Sequence, residues 1–492
     1  MSDAPQHQVF ELAPAVTREF LLHHRVCPIR YLPDGHLLVL VAPGAHSDAA
    51  IEDLTCTYGV EVDVEYASWE IVERSIERVT SAQDGIELAR PSGSHELDGT
   101  ADVRDLASQP PVIRYVNLLI REAYVAGASD IHLEAMRDGL NARLRIDGVL
   151  QSAPPPTQGL QQAIVSRVKL LAELDIAERR RPQDGRIRVK FDDRELDLRV
   201  STVPSVFGES VVLRLLNRTG GPAELRALGM PGVVHDAFEI AASAPHGLVL
   251  VTGPTGSGKT TTLYAALNAR LSREEKIITI EDPVEYQLPG VVQIPMDRQA
   301  GLSFSTVLRS VLRQDPDVIL IGEMRDQETA QIAVQAAMTG HIVFSTLHTN
   351  DALGAVARLI DLGVPDYMVA ATLDLVVAQR LVRQCCQECR VEYEPTASEI
   401  SLLGLAAQRM RTLLRGSGCG ACRGTGFRGR VGLFECLRIN EALRDAIASR
   451  APRARLRDIA LESGMWSLRD DGLMKVQSGL TTLQEVLRVV QL

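Results

Sequence analysis

Eight consecutive residues, Gly253-Pro254-Thr255-Gly256-Ser257-Gly258-Lys259-Thr260, have the types and spacing to hold a polyphosphate. The glycines let backbone N–H groups turn toward phosphate oxygens, Lys259 brings charge to the β and γ positions, and Thr260 offers a hydroxyl to Mg²⁺. Thr261 completes the candidate nucleotide-binding set. The apolar LVLV precedes this run and TTLYAALNARL follows it. That setting of strand, loop and helix places a helix amino terminus under the anion. A phosphate cradle alone only holds nucleotide, and hydrolysis needs a carboxylate that orients or deprotonates water.

Two acidic strand ends offer one. Glu281, Asp282 and Glu285 follow the strand-like IIT, and Glu323 follows VILIG. The carboxyl ends of strands in a doubly wound sheet line the ligand crevice, so both groups are expected there. Which of them is the general base stays open. Gly322 stands where many P-loop enzymes place a metal-binding Asp, so metal contacts are expected from the first acidic cluster. His341 and His348 flank IVFST; a histidine at a strand end either supports the fold or donates to the γ-phosphate, and both readings stand. Arg186, Arg199 and Arg214 before the loop, and Arg309, Arg313 and Arg325 after it, could offset transition-state charge. The rival reading is that they solvate a surface.

A second constellation lies downstream. Cys386 and Cys389, then Cys419 and Cys422, form two CxxC pairs separated by 29 residues. Four thiolates make a closed tetrahedral Zn²⁺ site. The rival is free or redox-active thiols. Cys385, out of that spacing, reads as a core residue, while Cys27, Cys56 and Cys436 stand alone.

These residues need a scaffold to position them. The strand-like GLVLVTG, IITIED, DVILIGE and HIVFSTLH recur with helical stretches between them, the pattern of a parallel sheet covered by helices. Upstream, VIRYVNLLIREAYVAG is helical, and RLRID, RIRVKF, LDLRVSTV and VVLRLL read as strands. A third region at the start carries a strand-like HLLVLVAP and a helix-like SWEIVERSIERV. The expected division is an N-terminal α/β module over 1–80, a polar linker over 81–108, a second α/β domain over 109–226 and a P-loop ATPase domain over 227–492. A cysteine-bearing subdomain occupies about 384–432. At 492 residues, 45% hydrophobic and 23% charged, the chain is globular and of multidomain length. The net charge of −11 and the lack of an aromatic-lined basic stretch disfavour a nucleic-acid partner. The N-terminus lacks a secretory signal pattern, and the chain's apolar runs, such as Leu37–Val41 and Val318–Ile321, are of strand length, so a cytoplasmic location is expected.

Taken together, the motifs resemble those of the secretion ATPases of the type II secretion and type IV pilus superfamily. GPTGSGKTTTLY is similar to that family's Walker A segment, IITIEDPVEY to its Asp box, LRSVLRQDPDVILIGEMRDQETA to its atypical Walker B segment and TGHIVFSTLHTNDA to its His box. Upstream, PVIRYVNLLIREAYVAGASDIHLE, RLRIDGVL, RPQDGR and LDLRVSTVPS resemble the domain preceding the motor, so the likeness covers about 110–437. The resemblance implies a RecA-like P-loop motor, a preceding α/β domain of PAS-like fold, a small N-terminal module and a zinc-binding tetracysteine insert. It implies that Glu323 is the Walker B glutamate, that Glu281, Asp282 and Glu285 form the Asp box, and that His341 and His348 belong to the His box. Arg199 and Arg214 then reach nucleotide from the preceding domain, and Arg309 and Arg313 lie near it.

The chain departs from the family at Ser210, where an arginine is common, and at Glu134-Ala135, where Glu-Pro is common. Retraction motors generally lack both the N-terminal module and the insert, so the resemblance favours the type II secretion ATPase, with pilus assembly as the alternative. The implied assembly is a homo-hexamer peripheral to the inner membrane. Its N-terminal module docks on the cytoplasmic part of a platform protein, with an anionic lipid surface as a further contact, and ATP hydrolysis drives pseudopilus assembly and export of folded proteins. A nucleotide-switched scaffold and a nucleic-acid motor are the readings from other classes.

Overall fold

The structure is a computed structural model that describes residues 16, 18–32, 35–42, 47–80, 87–88, 107, 110–157, 159–191, 194–217, 224–271, 274–297, 301–403 and 412–490. Apart from 87–88 and 107, the expected linker lies outside the described residues. By compactness the chain divides into one unit of 1–125, 133–142 and 153–213, and another of 126–132, 143–152 and 214–492.

The N-terminal module pairs Val26–Tyr31 antiparallel to Leu37–Val41, which runs parallel to Val62–Tyr66. Along the central strand every second residue is buried, with Leu37, Val39 and Val41 inward, as period-two alternation requires. Helices Arg18–His24, Ser47–Tyr58 and Trp69–Thr80 supply Leu21, Leu54 and Ile76 to that core. A seven-stranded sheet follows, in the order 87–88, 183–191, 194–205, 208–217, 128–136, 139–146, 149–152, with helices Pro110–Val125 and Gln161–Leu171. Inside it Lys169, fully buried, is paired with Glu209 and donates to Glu178 O at 2.7 Å.

The motor sheet has seven strands, numbered here in chain order: β1 (Gly247–Thr252), β2 (Ile277–Glu281), β3 (Val292–Pro295), β4 (Val318–Ile321), β5 (Ile342–Leu347), β6 (Leu373–Cys385) and β7 (Phe427–Arg438). Their order is β3-β2-β4-β5-β1-β6-β7, parallel except for β7, which runs antiparallel to β6. Every residue of β1, β2, β4 and β5 is buried, which a strand covered on both faces demands. Alternate residues serve opposite cores: Leu248 and Leu250 face one cluster, Val249 and Val251 the other. Its helices include α1 (Gly232–Ala242), α2 (Lys259–Arg270), α3 (Phe304–Val311), α4 (Gln327–Met338), α5 (Ala352–Asp361), α6 (Asp366–Thr372), α7 (Glu441–Ala448), α8 (Arg453–Glu462), α9 (Leu468–Gln477) and α10 (Leu483–Val489), with a further short helix at Ala397–Leu403 in the cysteine-bearing segment. Because β1, β2, β4 and β5 are parallel, the segments after Thr252, Glu281, Ile321 and Leu347 all leave from one edge. That edge is the carboxyl end of the sheet, as the sequence pattern predicts.

Candidate active site

The phosphate loop joins β1 to α2, and β6 fixes its shape from behind. Gly253 has φ +150°, and a Cβ there would stand 2.4 Å from Gln379 O. Gly258, left-handed at φ +86°, caps α2, and a Cβ on it would stand 2.9 Å from Gln379 Nε2. Both positions therefore exclude side chains, which leaves the backbone free to face an anion. Lys259 opens α2 and donates through Nζ to Gly253 O at 2.9 Å and Pro254 O at 3.0 Å. Burial lowers its pKa, the neighbouring Glu323 charge opposes that shift and the Arg380 charge adds to it. Ser257 Oγ is buried within the loop without a hydrogen-bond partner, an orphaned donor that a phosphate oxygen would satisfy. Pro254, Thr255, Gly256 and Thr261 are exposed and Thr260 half-buried. The set fits a triphosphate.

The carboxylates divide into different environments. Glu281, 3% exposed, accepts hydrogen bonds from Tyr264 OH, from Thr279 Oγ1 at 2.5 Å and from Gln293 Nε2 at 3.2 Å. Its acceptors are thus committed inside the protein, and burial followed by the Glu281 charge pushes the Tyr264 hydroxyl far above its ordinary pKa. Asp282 begins a cis peptide to Pro283 and lies close enough to Arg325 to stabilise its charge. Glu285 is exposed. Glu323, with 13% of its side chain exposed, pairs with Arg325 through Oε1, and its Oε2 lies 3.2 Å from His348 Nε2. Of the acidic groups, Glu323 is the one whose charge is felt at Lys259.

Gly322 also has a local reason. A Cβ there would stand 3.2 Å from Ile280 O, and its own N–H donates to that carbonyl at 2.8 Å. The close approach of β4 to β2 leaves little room for the aspartate that other P-loop enzymes carry.

The two histidines part company. His348, half-exposed, reaches Glu323 at the carboxyl edge. His341 precedes β5 at its other end, where Nδ1 donates to Ala336 O at 2.9 Å. Seven residues of extended chain separate them by roughly 20 Å. Arg309 pairs with Glu328 at 2.6 Å in the first turn of α4, and Arg313 donates to Arg309 O at 2.9 Å; both are exposed. Arg199 is exposed opposite Arg186 in the strand register. Arg214 donates to Asp130 Oδ1 at 2.9 Å, and Ser210 Oγ to Leu133 O at 3.3 Å.

Three residues of the site escaped the sequence reading. Gln379 on β6 accepts from Thr262 Oγ1 at 2.8 Å, which ties the strand to α2. Arg380, 8% exposed, donates to Gln379 O at 3.0 Å and to Asn350 O at 2.6 Å. Glu435 on β7, 7% exposed, accepts from Ala352 N at 2.7 Å, and burial raises its pKa. The available signal was a Gln-Arg pair interrupting the apolar LVVAQRLV, since polar residues inside a central strand need a partner.

The four predicted zinc ligands converge. Sγ atoms of Cys386 and Cys419 are 3.9 Å apart, those of Cys389 and Cys422 3.8 Å, and those of Cys419 and Cys422 3.7 Å. All four lie within 4.8 Å of one another. A tetrahedron with Zn–S bonds of about 2.3 Å has sulfur–sulfur edges of roughly 3.8 Å, so the arrangement fits the ion. Backbone N–H groups of Cys419 and Gly426 donate to Cys422 Sγ at 3.1 and 3.2 Å, as ligand thiolates require. Cys385 is buried beside them, as expected.

Residues 105–488 match the family described as Type II/IV secretion system protein. The type II secretion system protein E of Xanthomonas campestris pv. campestris is 42% identical over 497 residues, covering 100% of this chain and 87% of its own length. The type II secretion system ATPase E of Vibrio cholerae is 45% identical over 398 residues, 81% of this chain and 79% of its own. The type IV pilus assembly ATPase PilB of Thermus thermophilus is 39% identical over 92% of this chain and 52% of its own length. Among solved structures, the pilus retraction motor PilT with bound ADP aligns at TM-score 0.51 and 29% identity, over 76% of this chain and 96% of its own. With the match running from residue 105 to 488 and a relative 42% identical over the whole of this chain, the chain belongs to the Type II/IV secretion system protein family.

Proposed function

We propose that the chain is the ATPase of a type II secretion apparatus, hydrolysing ATP to drive pseudopilus assembly and export of folded proteins. The observation that carries the reading is the meeting of Lys259, Glu323 and His348 at the carboxyl edge, beside a loop whose glycines admit phosphate. The loop amides and Lys259 hold the β- and γ-phosphates. Glu323 accepts the proton of a water that attacks the γ-phosphorus as the bond to the bridging oxygen breaks. His348 orients Glu323 and contacts the γ-phosphate. Thr260 would hold Mg²⁺, which neutralises phosphate charge, with Asp282 on the same edge. Glu281, its oxygens already engaged, positions the Asp box by anchoring β2 to Tyr264. Arg199 and Arg214 from residues 109–226, and Arg309 and Arg313 from the motor, offset the developing charge within a homo-hexamer.

In the same reading, Cys386, Cys389, Cys419 and Cys422 hold a structural Zn²⁺, and residues 1–80 dock on the cytoplasmic domain of an inner-membrane platform protein. Attachment to the inner membrane then runs through that partner; among the described residues no helix is long and apolar enough to cross a membrane. The PilB likeness favours pilus assembly as a second reading. The test is phosphate release by the purified chain with platform protein and anionic lipid, beside a single-stranded DNA control, together with rescue of strains lacking either the secretion or the pilus-assembly ATPase. Stimulation by platform and lipid with rescue of secretion supports the proposal. Stimulation by DNA alone, or rescue of pili only, overturns it.

A further inference from the structure

Arg380 has no place in the mechanism above, yet it is a buried cation at the back of the phosphate loop. Its guanidinium spans two elements. Nη1 donates to Gln379 O and lies 3.1 Å from where a Cβ of Gly253 would stand, so it is packed against the first turn of the loop. Nη2 donates at 2.6 Å to Asn350 O, two residues beyond His348. Burial works against its charge, and the carboxylates of Glu435 and Asp351 act to stabilise it. Neither is spare: Glu435 accepts from Ala352 N, and Asp351 accepts from Gly354 N at 2.6 Å and pairs with Arg453 at 2.6 Å.

We infer that Arg380 is a positioning residue for hydrolysis: it sets the loop bearing His348 against the phosphate loop, and so places the Glu323–His348 pair over the γ-phosphate. The inference rests on the nucleotide reading of the site. A buried guanidinium is suited to the task because its planar fork serves two carbonyls at fixed directions, which a lysine ammonium at the same place does not reproduce. Gln379 completes the arrangement, since its side chain holds Thr262 of α2 while its carbonyl receives Arg380. One strand thereby fixes both ends of the phosphate loop and the segment that follows His348. Binding of the phosphates uses loop amides and Lys259, none of which Arg380 replaces. Its loss therefore falls on the chemical step, where misplacement by about 1 Å costs on the order of 10²-fold.

The experiment measures kcat for ATP, Kd for ADP and melting temperature of full-length wild type, Arg380→Lys, Arg380→Gln and Lys259→Ala. Arg380→Lys keeps a cation beside Glu435, so it retains the fold if Arg380→Gln does not. The expected result for Arg380→Lys is a kcat lowered about 10- to 100-fold with ADP affinity within about twofold and an unchanged melting temperature. Wild-type kcat in Arg380→Lys overturns the inference while an inactive Lys259→Ala leaves the nucleotide reading intact. A parallel loss of ADP affinity and kcat also overturns it, making Arg380 a binding or purely structural residue. No turnover by wild type, or undiminished turnover in Lys259→Ala, removes the nucleotide reading and the inference with it.

Discussion

The phosphate loop and the cysteine cluster are both small polar sites in the same unit, and they are finished to different degrees. At the cysteines, four sulfurs already lie near the corners of a tetrahedron that fits a metal ion, and two backbone N–H groups support one of them. At the phosphate loop, Lys259 rests on carbonyls of its own loop and Ser257 Oγ has no partner. The first geometry fits an ion held permanently; the second keeps donors that a bound phosphate could claim and release. A structural site spends its polar groups on itself, and a turnover site leaves them for the ligand.

The largest expected effect breaks the open site. Lys259→Ala lowers phosphate release by about 10³-fold or more, since it removes the charge beside the transferring phosphoryl group. The check is a steady-state assay against wild type. Next, Cys419→Ser breaks the closed site: metal analysis finds zinc lost from the purified chain, and the C-terminal region becomes less stable by on the order of several kcal/mol. Unchanged metal content would contradict it.

A finer comparison uses the two ends of β5. His348→Ala lowers kcat about tenfold or more because it contacts Glu323. His341→Ala, at the far end, leaves kcat of the purified chain within about twofold and costs about 1 kcal/mol or less through Ala336 O. Equal kinetic loss in both variants would erase the distinction.

The smallest effect concerns Glu485, which joins β6 to α10. Burial alone would raise its carboxyl, but hydrogen bonds from Arg383 and Arg488 hold it down at about 2. An unfolded glutamate titrates at about 4.3, so its contribution is complete above that pH and lost as pH falls toward about 2. Glu485→Gln therefore lowers the melting temperature at pH 7, and the gap from wild type narrows at pH 3.

Legibility in the sequence followed how local each signal was. The phosphate loop lies within nine residues, and its strand and helix flank it directly, so type, spacing and setting were all readable at once. The cysteine pairs were readable because CxxC spacing carries ligand geometry by itself. Arg380 and Gln379 were not, because their role depends on β6 pairing with β1 more than a hundred residues away in sequence. The IEDPVE run was legible as an acidic strand end, but burial of Glu281 against Tyr264 comes from α2 packing on β2. Gly322 looked like a missing ligand, and only the approach of Ile280 O shows why a glycine stands there. The histidines flank their strand as its sequence indicates, but parallel pairing decides which end shares an edge with the phosphate loop.

The central claim is that Glu323 acts on water while the loop holds nucleotide, and Glu323→Gln tests it most directly. ATP affinity and single-turnover phosphate release are measured on the same preparation. The account predicts affinity within about threefold of wild type and release slowed by on the order of 10²-fold. Release at the wild-type rate with full binding would contradict it and move the catalytic carboxylate to Asp282 or Glu285.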